Sequence, residues 1–578
     1  MSLWSKTIAS GLAVLFAFVN TYLTLTLGVL FVTGFAALSV AVIVGLSKSI
    51  RKDLSVEEIV EAQVIATSTV VVSGFALSIF IRQNRPQANL PSWLVPENVA
   101  RGGASWSYWL LPIAAYIFIG LVAALLALTL AWVLRKKFTN PDAYRWPSFS
   151  FLATTIKNLP KSPGVIAKAL IVGFALNTLQ WALVDRLFNS ELIDITGSLG
   201  GRLSFGIALN LVFLATAFLM GTRVGFSVGV GTVGAWLLIV PLAVLSGSIQ
   251  PQSTWPSFYS AAEANLFMFP AVVILVSASL AVELKQWMPK LRSYVTHSVG
   301  MSLFRGTSFS KATRWKGSYS VFALLASLAG IYALGSGILA PLPLFLALVL
   351  VIFLSTVAAL AISLAQASLV AETGSAVGGL NTVLLLIPIY LVGYRAYGAY
   401  AGMIFVNSFV VSFTLGQLYV ARVLGVPERV VLKSAIIGIV ISTVTSVISI
   451  AGLTVAFGLG SSQVPVPNLF GQLALLDVLS AGTLGNSPSA SLPVLLTAVG
   501  IGIILPYTKK LSATGIALGI LLPVAFGLAI LLGGTARFIL DRMRPSEGPT
   551  FAQIAMGLIL GSVLSDAARL FLSLSHLA

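Results

Sequence analysis

Apolar stretches of about 20 residues recur along this chain, and that is the length a helix needs to cross the hydrocarbon core of a bilayer. Only 9% of the 578 residues are charged and 57% are hydrophobic, whereas soluble domains carry about 25% charged residues. The apolar stretches are continuous rather than alternating, which argues against a transmembrane β-barrel. The sequence therefore predicts an all-α polytopic membrane protein of about 16 transmembrane helices (about 14 to 17), some of them broken or re-entrant.

The most basic segment of the chain lies near its middle, at residues 284–318. Lys and Arg concentrate in cytoplasmic loops. We therefore expect a first transmembrane half at 1–283, a cytoplasmic connector at 284–318 and a second transmembrane half at 319–578. The motifs Gly225-x-x-x-Gly229 and Gly515-x-x-x-Gly519 begin helices at corresponding places, as related halves would show. The alternative is independent use of a common helix-packing motif.

The amino-acid composition also excludes several kinds of site and partner. The formal net charge of +17 is carried by loops, where the positive-inside rule and anionic lipids account for it, so no nucleic-acid partner is expected. Cysteine is absent, which removes disulfides, thiolate metal sites and thiol nucleophiles. The two histidines, His297 and His576, lie outside the apolar stretches. The sequence therefore predicts no protein-built metal site and no cofactor.

A polar, glycine-rich break at residues 370–382 separates two strongly apolar runs. Such a break is tolerated at membrane depth only where protein or a water-filled cavity surrounds it, and a carboxylate there is a functional-site hypothesis. Glu372 is the first candidate, as a proton-coupling group or a contact for a substrate amine. A partly buried carboxylate can take up a proton on one side of the membrane and release it on the other. The alternative is a short polar loop at the water surface.

Other polar residues interrupt apolar runs elsewhere. Asn20, Thr21 and Tyr22 are predicted to lie at a matching break in the first half, between two helices, or else to satisfy a helix bend. Amides such as these line transport paths or join helices by hydrogen bonds. Glu263 and Asn265 are expected at the membrane interface, where a span begins. The remaining path candidates are Asn381, Asn407 and Gln417, together with Glu61 and Gln63 on a helix predicted to continue to about Phe80.

Several of these places resemble motifs of the oligopeptide transporter (OPT) family, in its prokaryotic branch, which is related to the yellow-stripe-like carriers of metal chelates. The likeness runs in the same order over nearly the whole chain. The chain departs from the family pattern after the Gly-Glu-Thr-Gly segment, where it has Ala376, Leu380 and Asn381. The motifs are Val19–Leu23 with Gly28, Glu61–Gln63, Ala371–Gly374 with Gly378–Gly379, Leu424–Arg429, and Gly515–Pro523 with Leu532–Gly534.

The resemblance implies a secondary active transporter for oligopeptides or small metal-chelate solutes. Proton coupling, alternating access, a multi-pass position in the plasma membrane and homodimerisation follow from the same likeness, as expectations. Thr373, Gly374 and Ser375 join Glu372 as expected path residues. We therefore expect no enzymatic activity. The alternatives from other classes are an intramembrane enzyme, such as a protease or a lipid-modifying enzyme, and a channel.

Overall fold

In the computed structural model the chain forms a helical bundle. The structure describes residues 3–27, 29–30, 32–49, 54–85, 90, 95, 106–140, 144, 146–158, 163–185, 193–194, 196, 203, 206–207, 211–252, 255–267, 269–278, 281, 362–372, 376–377, 397–461, 464, 466, 469, 472–473, 476, 491–508, 510–544 and 547–575.

Helices dominate these residues. The first group is α1 (Leu3–Leu27), α2 (Val32–Ser49), α3 (Val56–Thr67), α4 (Ser73–Asn84), α5 (Leu110–Phe138), α6 (Pro147–Asn158), α7 (Pro163–Gln180), α8 (Leu211–Met220), α9 (Thr222–Thr232), α10 (Val240–Leu245), α11 (Trp255–Ala262) and α12 (Phe269–Ala278). The second is α13 (362–372), α14 (Tyr397–Leu424), α15 (Glu428–Phe457), α16 (Leu492–Ile504), α17 (Ala513–Leu521), α18 (Val524–Met543) and α19 (Gly548–Ser575). The π-helical turns are Trp181–Asp185, Val233–Ile239 and Glu263–Phe267, and the 3₁₀ turns are Trp106–Tyr108 and Leu505–Tyr507.

The predicted fold class is confirmed: this is an all-α, multi-pass membrane protein. Among the described residues, six helices are long and apolar enough to cross a bilayer, and five shorter apolar helices accompany them. Strand structure there amounts to two antiparallel pairs of two-residue strands: β1 (Val29–Leu30) pairs with β4 (Ala376–Val377), and β2 (Ile193–Asp194) pairs with β3 (Gly206–Ile207). The total of about 16 spans stays a prediction, and the expected connector at 284–318 lies outside the described residues.

Helices from the two ends of the chain interleave. α5 packs on α14, α1 on α15, α9 on α17 and α7 on α19. The α7–α19 contact is close because Gly561 has no side chain: a Cβ there would lie 2.1 Å from the carbonyl oxygen of Leu170. The division into halves at 1–283 and 319–578 remains a prediction, but the helices of one expected half pack directly against those of the other.

The helix expected to run from Glu57 to about Phe80 is in fact broken. α3 ends at Thr67, residues 68–72 are not helical, and α4 begins at Ser73. The start of α3 follows local rules, since Ser55 caps it and Glu58 completes a capping box. The break between α3 and α4 has no such local cause. No Gly or Pro lies in Ser68–Val72, and the side chains that stabilise this segment belong to α15.

A second broken helix is formed by α17 and α18. α17 ends at Leu521, and Pro523, which has no N–H, precedes α18. In a continuous helix the N–H at position 523 would bond the carbonyl of Gly519. Here the hydroxyl of Thr232 donates to that carbonyl, at 3.0 Å. Trp236 Nε1 donates to the next carbonyl, that of Ile520, at 3.1 Å. The break is therefore capped by side chains of a neighbouring element.

The break after α1 is displaced from its expected position. Asn20, Thr21 and Tyr22 lie inside α1, which continues to Leu27 before α2 starts at Val32. These polar residues are compatible with helix because Thr21 and Thr24 donate back to carbonyls one turn earlier, at 2.7 Å each. Beyond α1, β1 (Val29–Leu30) pairs antiparallel with β4 (Ala376–Val377). The strand that follows α1 is thus paired with the strand that follows Glu372.

Candidate functional site

The break between α3 and α4 lies deep in the bundle, and two serines of α15 satisfy its backbone. Ser442 Oγ donates to the carbonyl of Ser68 at 2.7 Å and accepts from the N–H of Val70 at 3.1 Å. Ser446 Oγ accepts from the N–H of Val72, also at 3.1 Å. Unpaired backbone groups are costly in an apolar interior. These two hydroxyls therefore make a non-helical segment possible at this depth.

α1 contributes polar groups to the same place. Asn20 is fully buried, and its Nδ2 donates to Thr69 Oγ1 in the break at 3.2 Å. Thr21 is equally buried, and its Oγ1 lies 3.1 Å from Ser446 Oγ. The sequence predicted both residues as path candidates. The structure brings them to the break between α3 and α4, rather than to a break of their own.

Gln63 and Gln417 meet on the other side of the break. Gln63 Nε2 donates to Thr67 Oγ1 at 2.7 Å, and Gln417 Nε2 donates to the same oxygen at 3.2 Å. Thr67 lies at the last turn of α3, so its hydroxyl links α3 to α14. Both glutamines are buried. Two more sequence candidates therefore belong to one cluster.

The cluster has unused hydrogen-bonding capacity. Asn20 Oδ1, Gln63 Oε1 and Gln417 Oε1 are buried and have no hydrogen-bond partner among the described residues. Gln366 on α13 shares no hydrogen bond with this cluster; it is 1% exposed, and neither its oxygen nor its nitrogen has a partner among the described residues. Buried polar groups are nearly always paired in proteins. These amide groups are therefore able to hydrogen-bond a polar ligand at the break.

The remaining described candidates, Asn407, Tyr22 and Glu61, have different surroundings from one another. Both ends of the Asn407 side chain are occupied: Nδ2 donates to the carbonyl of Ala123 at 3.2 Å, and Oδ1 accepts from Ser363 at 3.0 Å. Asn407 therefore joins helices by hydrogen bonds, which is the alternative to a position lining the transport path. Tyr22 is half-buried against the apolar core. Glu61 is half-buried on α3, about two turns before the break.

Glu372 is the last described residue of α13, and it meets the N-terminus of α17. Its Oε2 accepts from Ser512 Oγ at 2.8 Å and from Thr514 Oγ1 at 2.5 Å. Ser512 is also the N-cap of α17 and accepts from the N–H of Gly515. A helix N-terminus favours negative charge. Glu372 as a whole is exposed rather than partly buried, so one oxygen is held while the group stays accessible.

Tyr144, in the segment between α5 and α6, faces the same carboxylate. Burial raises the pKa of Tyr144 to about 12, and the negative charge of Glu372 adds to the effect. The phenol therefore keeps its proton through the physiological pH range. The neighbouring N–H of Trp146 donates to the carbonyl of Ala371 at 3.0 Å, which ties this segment to the end of α13.

Some candidates cannot be placed, and others were missed. Thr373, Gly374, Ser375 and Asn381 lie outside the described residues. Sequence reasoning singled out none of Ser442, Ser446, Ser512, Thr514 or Gln366 as site residues. A lone amide in an apolar run was a usable signal for Gln366. The serines and the threonine had no such signal, because hydroxyls are common in membrane helices, where they bond their own backbone.

Replacing Ser446 by alanine is expected to destabilise the protein by about 1–3 kcal/mol, because it leaves the N–H of Val72 buried and unpaired. Ser449→Ala is the matched control: it lies on the same helix, is buried, and its hydroxyl donates to Thr445 of its own helix. Thermal unfolding in detergent measures both. Equal losses of stability in the two variants would contradict the role assigned to Ser446.

Comparison with known proteins adds one result. A sequence model of the family described as OPT oligopeptide transporter protein matches residues 1–572, which is nearly the whole chain. A search of curated proteins found no match.

Proposed function

Because this chain belongs to the OPT oligopeptide transporter family, we propose that it carries oligopeptides across the plasma membrane by alternating access, driven by protons. The peptide binds at the α3–α4 break. The observation that carries this proposal is the set of buried, unpaired amide oxygens of Asn20, Gln63 and Gln417 around the non-helical segment Ser68–Val72.

A peptide backbone offers the groups that this cluster lacks. Each peptide N–H is a hydrogen-bond donor and each C=O an acceptor. The three amide oxygens accept from peptide N–H groups, and the side chain of Gln366 can both donate and accept. Contacts to the backbone rather than to side chains suit a carrier for peptides of varied sequence.

Charges at the two ends of a peptide also find counterparts. α4 begins at the break, and the N-terminus of a half-helix is a favourable place for a carboxylate. Glu372 is an accessible carboxylate held by two hydroxyls, and it contacts the peptide ammonium group. The strand pair β1–β4 links the segment after Glu372 to the segment after α1.

Alternating access is proposed from the two broken helices, α3–α4 and α17–α18. Discontinuous helices at the substrate and ion sites are a feature of secondary transporters, in which one bundle moves against another around the site. Each break here is satisfied by side chains of a different element. In this proposal, those hydrogen bonds break and re-form when the broken helices move relative to α15 and α9.

Purified protein in liposomes is expected to accumulate oligopeptides when the outside is made acidic. The substrate is a mixed peptide pool in one arm and metal chelates in a second, with contents identified by mass spectrometry. Protein-free liposomes and a protonophore serve as controls. Absence of peptide uptake would contradict the function. Saturable peptide uptake that ignores the gradient would contradict the proton coupling alone.

A further inference from the structure

Glu263, which the sequence predicted to lie where a span begins, is buried in the protein interior. Its exposed fraction is 4%. It opens the π-helical turn Glu263–Phe267 that follows α11. π-Helical turns are rare and are found frequently at functional sites. One carboxyl oxygen, Oε2, has no hydrogen-bond partner among the described residues.

The surroundings of Glu263 are apolar and aromatic. Trp236, Tyr259 and Phe267 form a separate buried cluster with Val524 at the start of α18. The rings of Trp236 and Tyr259 stack with their centroids 5.4 Å apart. α17 and the turn Val233–Ile239 carry no ionisable side chain. On α11, Tyr259 is the one titratable group. Among these described elements, therefore, no cation faces Glu263.

The hydrogen-bond chain shows which form of the carboxyl group fits. The Tyr259 hydroxyl donates to the carbonyl of Leu521 at 2.6 Å. Glu263 follows Tyr259 by four residues, so the two side chains are neighbours on the same face of the helical segment. A phenol has one proton, and the Tyr259 hydroxyl donates it to the carbonyl of Leu521. A hydrogen bond between Tyr259 and Glu263 therefore needs Glu263 as the donor, which requires its neutral acid form. An isolated buried carboxylate would also be very costly.

Loss of that proton has a defined consequence. The carboxylate then has only acceptors, so the Tyr259 hydroxyl turns to donate to it, while the proton passes to water. The carbonyl of Leu521, at the end of α17, loses its donor. This carbonyl belongs to the capped break before Pro523, and α17 holds Glu372 at its other end. Protonation of Glu263 is thereby linked to the position of the half-helix α17, which holds Glu372, the carboxylate proposed to contact the peptide ammonium group.

We propose that Glu263 is the proton-binding site of this transporter and that Tyr259 conveys its protonation state to α17. The coupling part of this inference rests on the proposed proton-driven transport. The protonation part does not, because it follows from the burial of Glu263, its unpaired oxygen and the hydrogen bond that Tyr259 donates to Leu521.

Infrared spectroscopy tests the protonation without any transport assay. At neutral pH, wild-type protein in lipid is expected to show the C=O stretch of a neutral carboxylic acid, and Glu263→Gln removes it. Tyr259→Phe shifts the same band to higher frequency, because the acid loses its acceptor. Glu547→Gln is the control, since Glu547 is a half-exposed partner of Arg544. A band that neither Glu263→Gln nor Tyr259→Phe changes would overturn the assignment.

Transport in liposomes tests the coupling. For Glu263→Gln and Tyr259→Phe, the ratio of uphill to downhill peptide uptake is expected to fall at least tenfold, whereas Glu547→Gln keeps the wild-type ratio. If the proton gradient drives uptake by the wild type but the ratio is unchanged in both variants, the role of Glu263 is contradicted. A wild type that shows the infrared band but ignores the gradient would instead contradict the proton-driven function. The two failures are therefore distinguishable.

Discussion

Glu372→Gln is expected to lower the uptake of peptides with a free amino terminus by about 10- to 100-fold. A hydrogen bond between charged groups contributes about 1.5–3 kcal/mol, and each 1.4 kcal/mol changes affinity about tenfold. The substituted amide keeps an oxygen that can accept from Ser512 and Thr514, which donate to Glu372 Oε2. Folding is therefore expected to change little, and the loss is expected in the apparent affinity. Concentration-dependent uptake into liposomes measures it.

Peptides with an acetylated amino terminus are the internal control for this variant. They lack the ammonium group, so the wild type is expected to take them up poorly. Glu372→Gln is expected to change their uptake less than about threefold, which is a smaller effect than the loss of one hydrogen bond to a charged group. An equal loss for free and acetylated peptides would indicate that Glu372 serves the structure and not the substrate. Undiminished uptake of both would contradict any role in the path.

Gln417→Leu is expected to weaken peptide binding by about tenfold, as loss of one buried hydrogen bond to the substrate predicts. The unpaired Oε1 of Gln417 is the group assigned to the peptide. Its Nε2 bond to Thr67 is also lost, but Thr67 Oγ1 still accepts from Gln63. The protein is therefore expected to lose affinity more than stability. Uptake kinetics and thermal unfolding, measured on the same preparation, separate the two.

Asn407→Leu is the contrasting variant on the same helix. Both ends of the Asn407 side chain are already paired, with Ala123 and Ser363, so its loss is expected to reduce stability and leave peptide affinity in the folded fraction near wild type. If Gln417→Leu and Asn407→Leu behave alike in both measurements, the distinction between unpaired and paired amides carries no functional meaning, and the proposed binding site is wrong.

Much of the site could be anticipated because its signals are local. A carboxylate next to glycines, or an amide inside an apolar run, stands out in the sequence whatever surrounds it in space. Glu372, Asn20, Thr21, Gln63 and Gln417 were found in this way, and the last four converge on one break. Glu263 was also noted in the sequence, but a carboxylate near the start of a span can be either exposed at the membrane interface or buried in the protein. Only its burial in the structure distinguishes these two alternatives.

The positions of the breaks could not be anticipated in the same way. Asn20 and Thr21 seemed to interrupt α1, yet a threonine hydroxyl that donates one turn back keeps the helix intact. Ser68–Val72 contains neither Gly nor Pro and was predicted as helix. Its backbone is satisfied by Ser442 and Ser446, which are more than 370 residues away in the chain. No local pattern records such a partner.

The sequence by itself determined that this chain is a helical membrane protein and a member of its family, because hydropathy and ordered motifs are properties of consecutive residues. Only the tertiary structure decided where the helices stop, which amides stay unpaired, and which carboxyl group is buried. Those outcomes depend on whether a partner from another helix reaches each polar group. In an apolar interior, a hydrogen bond made or missing at that point outweighs the local preference of the chain.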